Sequence, residues 1–266
     1  MKKKLIISLS AFIFISLIPI AYLAISPKDS PKEQQTNQPV GKIKEVEEIM
    51  TVDDYGGTYL TEAGQNVRQN DWGTFTLLHL YKINQTFDIL PMKLTIHEIK
   101  VINLSKMTEQ TKEYLQSFTG LDQTEIFQLY SDENLSYEEI EDRVSLSRKE
   151  IDKDITYYEI SYSVENTSSK ELQFFSMQTA SFNNNMIYDV PEKNFIYSED
   201  TLMGTKSVSR VDYEPNEERK GVLALLNESA TSMNKLSSFT FTTDDIRDGG
   251  SHDLLVDGKT FHIEFD

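Results

Sequence analysis

The densest set of oxygen donors in the chain is the run Asp244-Asp245-Ile246-Arg247-Asp248-Gly249-Gly250-Ser251-His252-Asp253. Calcium favours several carboxylates gathered around a glycine turn, so Asp244, Asp245, Asp248 and Asp253 are the candidate ligands for a hard cation. The order D-x-[DN]-x-[DN]-G with a distal bidentate Glu is absent, which favours a solvated loop joining two strands of an acidic protein. Asp53-Asp54 ahead of Gly56-Gly57 is a weaker version of the same pattern. The histidines, His79, His97, His252 and His262, fall in separate elements and none has H-x-x-x-H or H-E-x-x-H spacing, so no zinc site is suggested.

Nucleophilic chemistry finds one short match. Ser232-Met233-Asn234-Lys235 fits S-x-x-K, in which a lysine one helical turn away activates a serine. That chemistry needs a later S-x-N element and a K-T-G. Ser181-Phe182-Asn183 comes too early, and Lys259-Thr260 is followed by Phe261. There is no G-x-S-x-G, P-loop or G-x-G-x-x-G, since only Gly56-Gly57 and Gly249-Gly250 are close pairs. The sequence therefore assigns no catalytic residue and no cofactor.

Composition sets the surroundings. The formal net charge is −17, and Lys2, Lys3 and Lys4 sit together at the N-terminus, so the rest is more acidic still. Such a surface repels phosphate backbones, and no basic stripe with interleaved aromatics offsets it, which argues against nucleic-acid binding. The absence of cysteine removes disulfides, thiolate metal sites, a Cys nucleophile and a lipidated N-terminal Cys together. An exported protein of a Gram-positive bacterium fits that usage better than a secreted eukaryotic domain.

After the three lysines, Leu5 to Ile25 is apolar apart from Ser8, Ser10, Ser16 and Pro19. About 21 residues rising 1.5 Å each cover roughly 30 Å, enough to cross a bilayer core. A cleaved signal peptide is the alternative, but a cut after Ala24-Ile25-Ser26 would place Pro27 next to the bond. Residues 1–26 are thus expected to be a signal anchor, with the lysines cytoplasmic and the remainder outside the cell membrane. Residues 27–41, with three prolines and no aromatic, read as a linker. Residues 42–71 are a lead-in of unassigned structure.

From Trp72 to Asp266 the pattern is mainly β. Tyr158, Ile160, Tyr162 and Val164 alternate with Glu159, Ser161, Ser163 and Glu165, predicting a half-buried strand with the second set facing water. The polar turn Asn166 to Lys170 then predicts a hairpin with the segment Leu172 to Phe182. Asp257-Gly258, between Leu254-Leu255-Val256 and Thr260 to Phe265, predicts a second hairpin. Further strands are expected at Thr74 to Tyr81, Leu94 to Leu104, Val208 to Tyr213, Val222 to Leu226 and Ser238 to Thr243. The apolar set Leu94, Ile96 slips by one to Ile99, Val101, which predicts a bulge near His97-Glu98. About eight strands with polar turns suggest a two-sheet sandwich.

Thr108 to Asp154 breaks the pattern. Met107, Tyr114, Leu115 and Phe118 share one helical face, and Ile126, Phe127 and Tyr130 another, so a helical insertion is expected. Adjacent aromatics at Tyr157-Tyr158 and Phe174-Phe175 imply that one of each pair faces away from the core, packing across strands or anchoring a partner. Sequons at Asn84, Asn103, Asn134, Asn166 and Asn227 would matter only in a glycosylating host.

Three stretches carry a family resemblance: Met92 to Val101 (MKLTIHEIKV), Tyr158 to Lys170 (YEISYSVENTSSK), and Pro215-Asn216-Glu217 shortly before Gly221-Val222-Leu223-Ala224-Leu225. In order and content they resemble the secreted or membrane-anchored immunoglobulin-like domains of Gram-positive bacteria, a group of unknown function. Asn216 stands where that group usually has Gly, and the inserted helices lengthen the first half. The resemblance implies an immunoglobulin-like antiparallel β-sandwich outside the cell and brings no catalytic residue.

The expectation is a membrane-tethered, non-enzymatic binding domain for an envelope protein, a peptide or a cell-wall polymer. The alternatives are a calcium-type or enzymatic module whose site assembles only in three dimensions, and an accessory subunit of an envelope complex docking through the insertion.

Overall fold

The computed structural model describes residues 49–196, 212–228 and 235–265. In chain order they form β1 (Met50–Val52), a 3-10 turn (Gly56–Tyr59), β2 (Asn66–Gln69), β3 (Gly73–Ile89) and β4 (Met92–Ser105). Three helices follow: α1 (Glu109–Gln116), α2 (Gln123–Leu129) and α3 (Tyr137–Ser147). Then come β5 (Ile155–Asn166), β6 (Leu172–Gln173), β7 (Met177–Phe182), β8 (Ile187–Asp189) and a helical turn, α4 (Val190–Lys193). The chain continues as β9 (Asp212–Tyr213), β10 (Glu218–Leu226), β11 (Ser238–Thr243), β12 (Ile246–Asp248), β13 (Leu254–Val256) and β14 (Thr260–Glu264). The signal anchor, the linker, Ser232 to Asn234 and the start of the segment Val208 to Tyr213 lie outside the described residues.

The protein is mainly β, with three sheets. The order β1-β2-β3-β4-β5-β10 makes the largest, and β14-β11-β7-β8 and β13-β12-β6-β9 make two of four strands. From Ile49 onward the lead-in joins the strand-rich part, because β1 and β2 form one edge of the large sheet.

The large sheet is buried on both faces. One carries Leu94, Ile96, Ile99, Val101, Tyr158 and Ile160, and these share a core with Ala180, Phe182, Phe239 and Phe241 of the second sheet and Leu172, Tyr213 and Ile246 of the third. Tyr158 stacks on Phe182 with ring centroids 3.8 Å apart. The other face carries Phe75, Leu77, Ile102, Leu104, Tyr157 and Ala224, covered by Tyr55, Leu60, Leu115, Ile151 and Phe195. The second core corrects the expectation that one of Tyr157 and Tyr158 faces away from a core: both are buried, on opposite faces. Phe174 and Phe175 do divide, one buried and one exposed.

The predicted bulge is present, since the β4–β5 register shifts between Ile96 and Glu98. It lets Leu94, Ile96, Ile99 and Val101 keep to one face although their parity changes. The helical insertion also lies where it was expected, between β4 and β5.

Both predicted hairpins are corrected. β5 pairs with β4 and β10, whereas β7 pairs with β11 and β8 in another sheet. The intervening turn is drawn away by Asn166, whose buried Nδ2 donates to the carbonyls of Lys170, Tyr213 and Glu214 at 2.7, 3.1 and 3.1 Å. Those contacts lead the chain into β6 of the third sheet before Ser176, at φ +62°, redirects it. At Asp257-Gly258, β13 pairs with β12 while β14 pairs with β11. A type I′ hairpin needs positive φ at both central residues, and neither residue has it. Gly258 is required for proximity instead: its N–H donates to Asp245 Oδ1 at 2.9 Å, and a Cβ would lie 2.3 Å from the Thr243 carbonyl oxygen.

Candidate functional site

The helical insertion is capped at every start. Thr108 Oγ1 accepts the Thr111 N–H at the head of α1. Asp122 with Glu125 and Ser136 with Glu139 form reciprocal capping boxes at α2 and α3. In the second box the Ser136 N–H and hydroxyl both donate to the Glu139 carboxylate, holding it below the usual carboxylate range.

The insertion is joined to the sheets around Gly120. This residue has φ +78°, and a Cβ would meet the Ser147 carbonyl oxygen at 2.4 Å, so only glycine fits. Its N–H donates to Glu228 Oε2 at 2.9 Å, and its carbonyl accepts from Lys193 Nζ of α4. Glu228, whose side chain is buried, also pairs with Lys149 at 2.9 Å. Its other oxygen, Oε1, has no hydrogen-bond partner among the described residues and sits 4.0 Å from Lys193 Nζ. Ser147 Oγ accepts the Leu121 N–H at 2.8 Å, closing the end of α3 onto the start of α2. Burial pushes the Glu125, Asp189 and Glu192 carboxyls at this joint upward, and the Asp122 carboxylate raises all three further.

Beyond the joint, α2 and α3 pack on each other, with Ile126 of α2 buried. None of the eleven residues of α3 is buried. Leu146 is 85 % exposed, Tyr137 67 %, and Phe127 and Leu129 of α2 64 % each. Between the two helices lies a groove of about 520 Å³, lined by Leu121, Ile126, Tyr130 and Leu146 and rimmed by Glu139 and Asp142. Arg143 crosses it with its guanidinium 3.8 Å over the Tyr130 ring, paired with Glu133 at 2.9 Å. The groove thus joins an apolar floor to a charged rim.

The acidic loop is placed differently from a cation cage. Asp244 Oδ2 accepts the Phe175 N–H, and Asp245 accepts from Gly258 N–H and Arg247. Asp248 accepts from the Gly250 and Ser251 N–H groups, which hold its carboxyl below the usual range, and Asp253 accepts from the Ser251 hydroxyl. The four carboxylates thus secure turns around β12. Among the described residues no group of three or more His, Asp and Glu side chains is placed to hold a metal ion.

The histidines stay apart. His97 Nε2 lies 3.1 Å from Ser163 Oγ at the bulge. His262 links Thr240 Oγ1 at 2.7 Å to Glu264 Oε1 at 2.5 Å across the outer face of the second sheet. The hydroxyl–imidazole–carboxylate order is that of a nucleophile relay, but its imidazole and carboxylate stand open to water, whereas a relay's acid is held buried.

One polar cluster was not expected. Glu159, predicted to face water, is buried beneath Tyr55 and Gly57. Its Oε1 lies 2.9 Å from Lys100 Nζ, and its Oε2 accepts the Tyr55 hydroxyl at 2.6 Å. Lys100 also donates to the Gly57 carbonyl at 3.0 Å, and a Cβ on Gly57 would meet Glu159 Oε2 at 2.2 Å. Closed over in this way, the cluster fastens the lead-in to the sheet. The pair Gly56-Gly57 was its sequence signal, since close backbone approach calls for glycine.

No protein-family model matches the chain, and none of the curated proteins matches it. Among solved structures it is similar to a functionally unknown protein from Listeria monocytogenes EGD-e, at 16 % identity and TM-score 0.40 over 73 % of this chain and 88 % of that one. It is also similar to a conserved hypothetical protein from Bacillus anthracis, at 10 % identity and TM-score 0.32 over 62 % and 90 % of the two chains.

Proposed function

We propose that this chain is a membrane-tethered, extracytoplasmic binding domain that docks another envelope protein through the α2–α3 hairpin, without catalysing a reaction. The observation that carries the reading is α3, a helix with no buried residue, standing beside sheets whose cores are closed on both faces. Helices draw most of their stability from packing an apolar face; α3 half-buries Ile140 and Val144 but leaves Leu146 and Tyr137 in water, and that exposed apolar surface is what a partner would cover. The scaffold in this reading is an immunoglobulin-like sandwich. Support comes from the core shared by the three sheets, and from the meeting of two turns that carry the family resemblance: Asn166 N–H donates to the Glu217 carbonyl at 2.9 Å. Tethering is supported by the lysines and apolar run at residues 2–25 and by the lack of cysteine.

The test is co-purification of the full chain from its own membranes, comparing wild type with a Phe127→Asp/Leu146→Asp variant. The expected result is loss of the main co-purifying protein with unchanged thermal unfolding. Equal recovery by both would contradict the reading.

A further inference from the structure

We infer that the occupant of the α2–α3 groove is a cationic amphipathic segment of a partner protein, helical over about three turns. This rests on the docking reading above and names the chemistry of the partner. Between Leu121 and Ser147 the chain has eight acidic side chains and one basic one, Arg143. Arg143 is spent inside the hairpin on Tyr130 and Glu133, so it neutralises nothing outside. Glu139 is committed to its capping box and Glu141 accepts from Gln123 Nε2 at 2.9 Å. Asp142 on the rim and Glu138 one turn before it have no hydrogen bond or ion pair among the described residues.

The floor and the rim ask for different halves of one ligand. Leu121 and Leu146 offer apolar surface above a floor closed by buried Ile126 and by Tyr130 under the Arg143 guanidinium, and a space of about 520 Å³ suits a few side chains. The unpaired carboxylates ask for Lys or Arg flanking those anchors. A helix with apolar residues at i, i+3, i+4 and i+7 and basic residues between them supplies both. Its length follows from α3, whose eleven residues span about 16 Å.

Other occupants meet the same charge with the wrong sign. A second copy of the hairpin face would set carboxylate against carboxylate. Anionic lipid, an anionic wall polymer and nucleic acid are all repelled.

The experiment uses the full chain in zwitterionic nanodiscs, with empty nanodiscs as blank, and three labelled peptides of about 14 residues read by fluorescence anisotropy. One is a Leu/Lys sequence with the helical spacing above, the second its composition-matched scramble, and the third the Leu/Glu counterpart. The first should bind at least about tenfold tighter than the other two and weaken as salt rises. Leu146→Asp and Asp142→Lys should each weaken it about tenfold, while Glu264→Lys on the distant β14 leaves it unchanged. Both hairpin positions are exposed, and unaltered thermal unfolding would show that the variants fold. Equal binding of the scramble, or an equal loss in Glu264→Lys, would reduce the effect to bulk charge and overturn the inference. If co-purification is lost in the hairpin variant yet no peptide binds, the cationic occupant falls and docking stands. If neither responds, both fall.

Discussion

Lys100 Nζ and Glu159 Oε1 lie 2.9 Å apart with neither side chain more than 6 % exposed. Removing one partner of a buried pair leaves the other charge without compensation, which typically costs about 3–5 kcal/mol. Lys100→Ala is therefore expected to destabilise by about that amount, and the paired replacement Lys100→Met/Glu159→Leu by clearly less. Urea unfolding of the three proteins checks this. A double variant no better than the single one would contradict the pairing.

Gly57→Ala should act on the same cluster from above. Its methyl group would enter the space of Glu159 Oε2 and the Tyr55 ring, 2.2 and 2.6 Å from the ideal Cβ. The expected result is faster amide exchange confined to residues 50–60, with β5 still protected.

Asn166 joins five partners: three carbonyls through Nδ2, and the N–H and hydroxyl of Ser168 through Oδ1. Asn166→Ala leaves those groups short of partners in a buried turn, at a cost of roughly 2–3 kcal/mol. Asn166→Asp should be no milder, because a carboxylate cannot donate to three carbonyl oxygens. Thermal unfolding distinguishes these outcomes from a neutral surface change.

The joint around Gly120 should respond to pH. Burial holds Glu125, Asp189 and Glu192 above the usual carboxylate range. A folded-state value above the unfolded one means that the folded joint binds protons more tightly, so its stability rises as pH falls into the range of those raised values. Glu139, held low by Ser136, works the other way: its contribution is present above the unfolded value and is lost in stronger acid. Exchange measured at about pH 7.5 and about pH 5, corrected for intrinsic rates, should show residues 120–125 and 189–193 better protected in acid. Glu192→Gln should abolish part of the difference.

Some of this was written plainly in the residues. Ser238 to Thr243 alternates cleanly and is a strand with those bounds, and the parity slip between Ile96 and Ile99 disclosed its bulge. The insertion is legible in outline, but the helical spacing of its apolar residues does not reach α3, although Ser136-x-x-Glu139 and Asp122-x-x-Glu125 mark the starts of both outer helices. What alternation could not convey is what lies above a polar face. Glu159 reads as solvent-facing until the distant Tyr55-Gly56-Gly57 covers it. Asp257-Gly258 likewise looks like a hairpin until Asp245 claims the Gly258 N–H and Thr243 the Lys259 N–H for a crossing between sheets. The groove was beyond pattern reading for a related reason. Leu121 and Leu146 are ordinary apolar residues of helical segments, and only the three-dimensional path leaves Leu146 in water.

A partner covering the α2–α3 hairpin in the cell would be caught by site-specific photo-cross-linking. A benzophenone side chain in place of Leu146, and separately in place of Thr260 on the outer face of β14, would be activated in intact cells. Position 146 should give one discrete adduct, lost when Phe127→Asp is added, and position 260 none. No adduct at 146, or the same adducts at both positions, would contradict docking there.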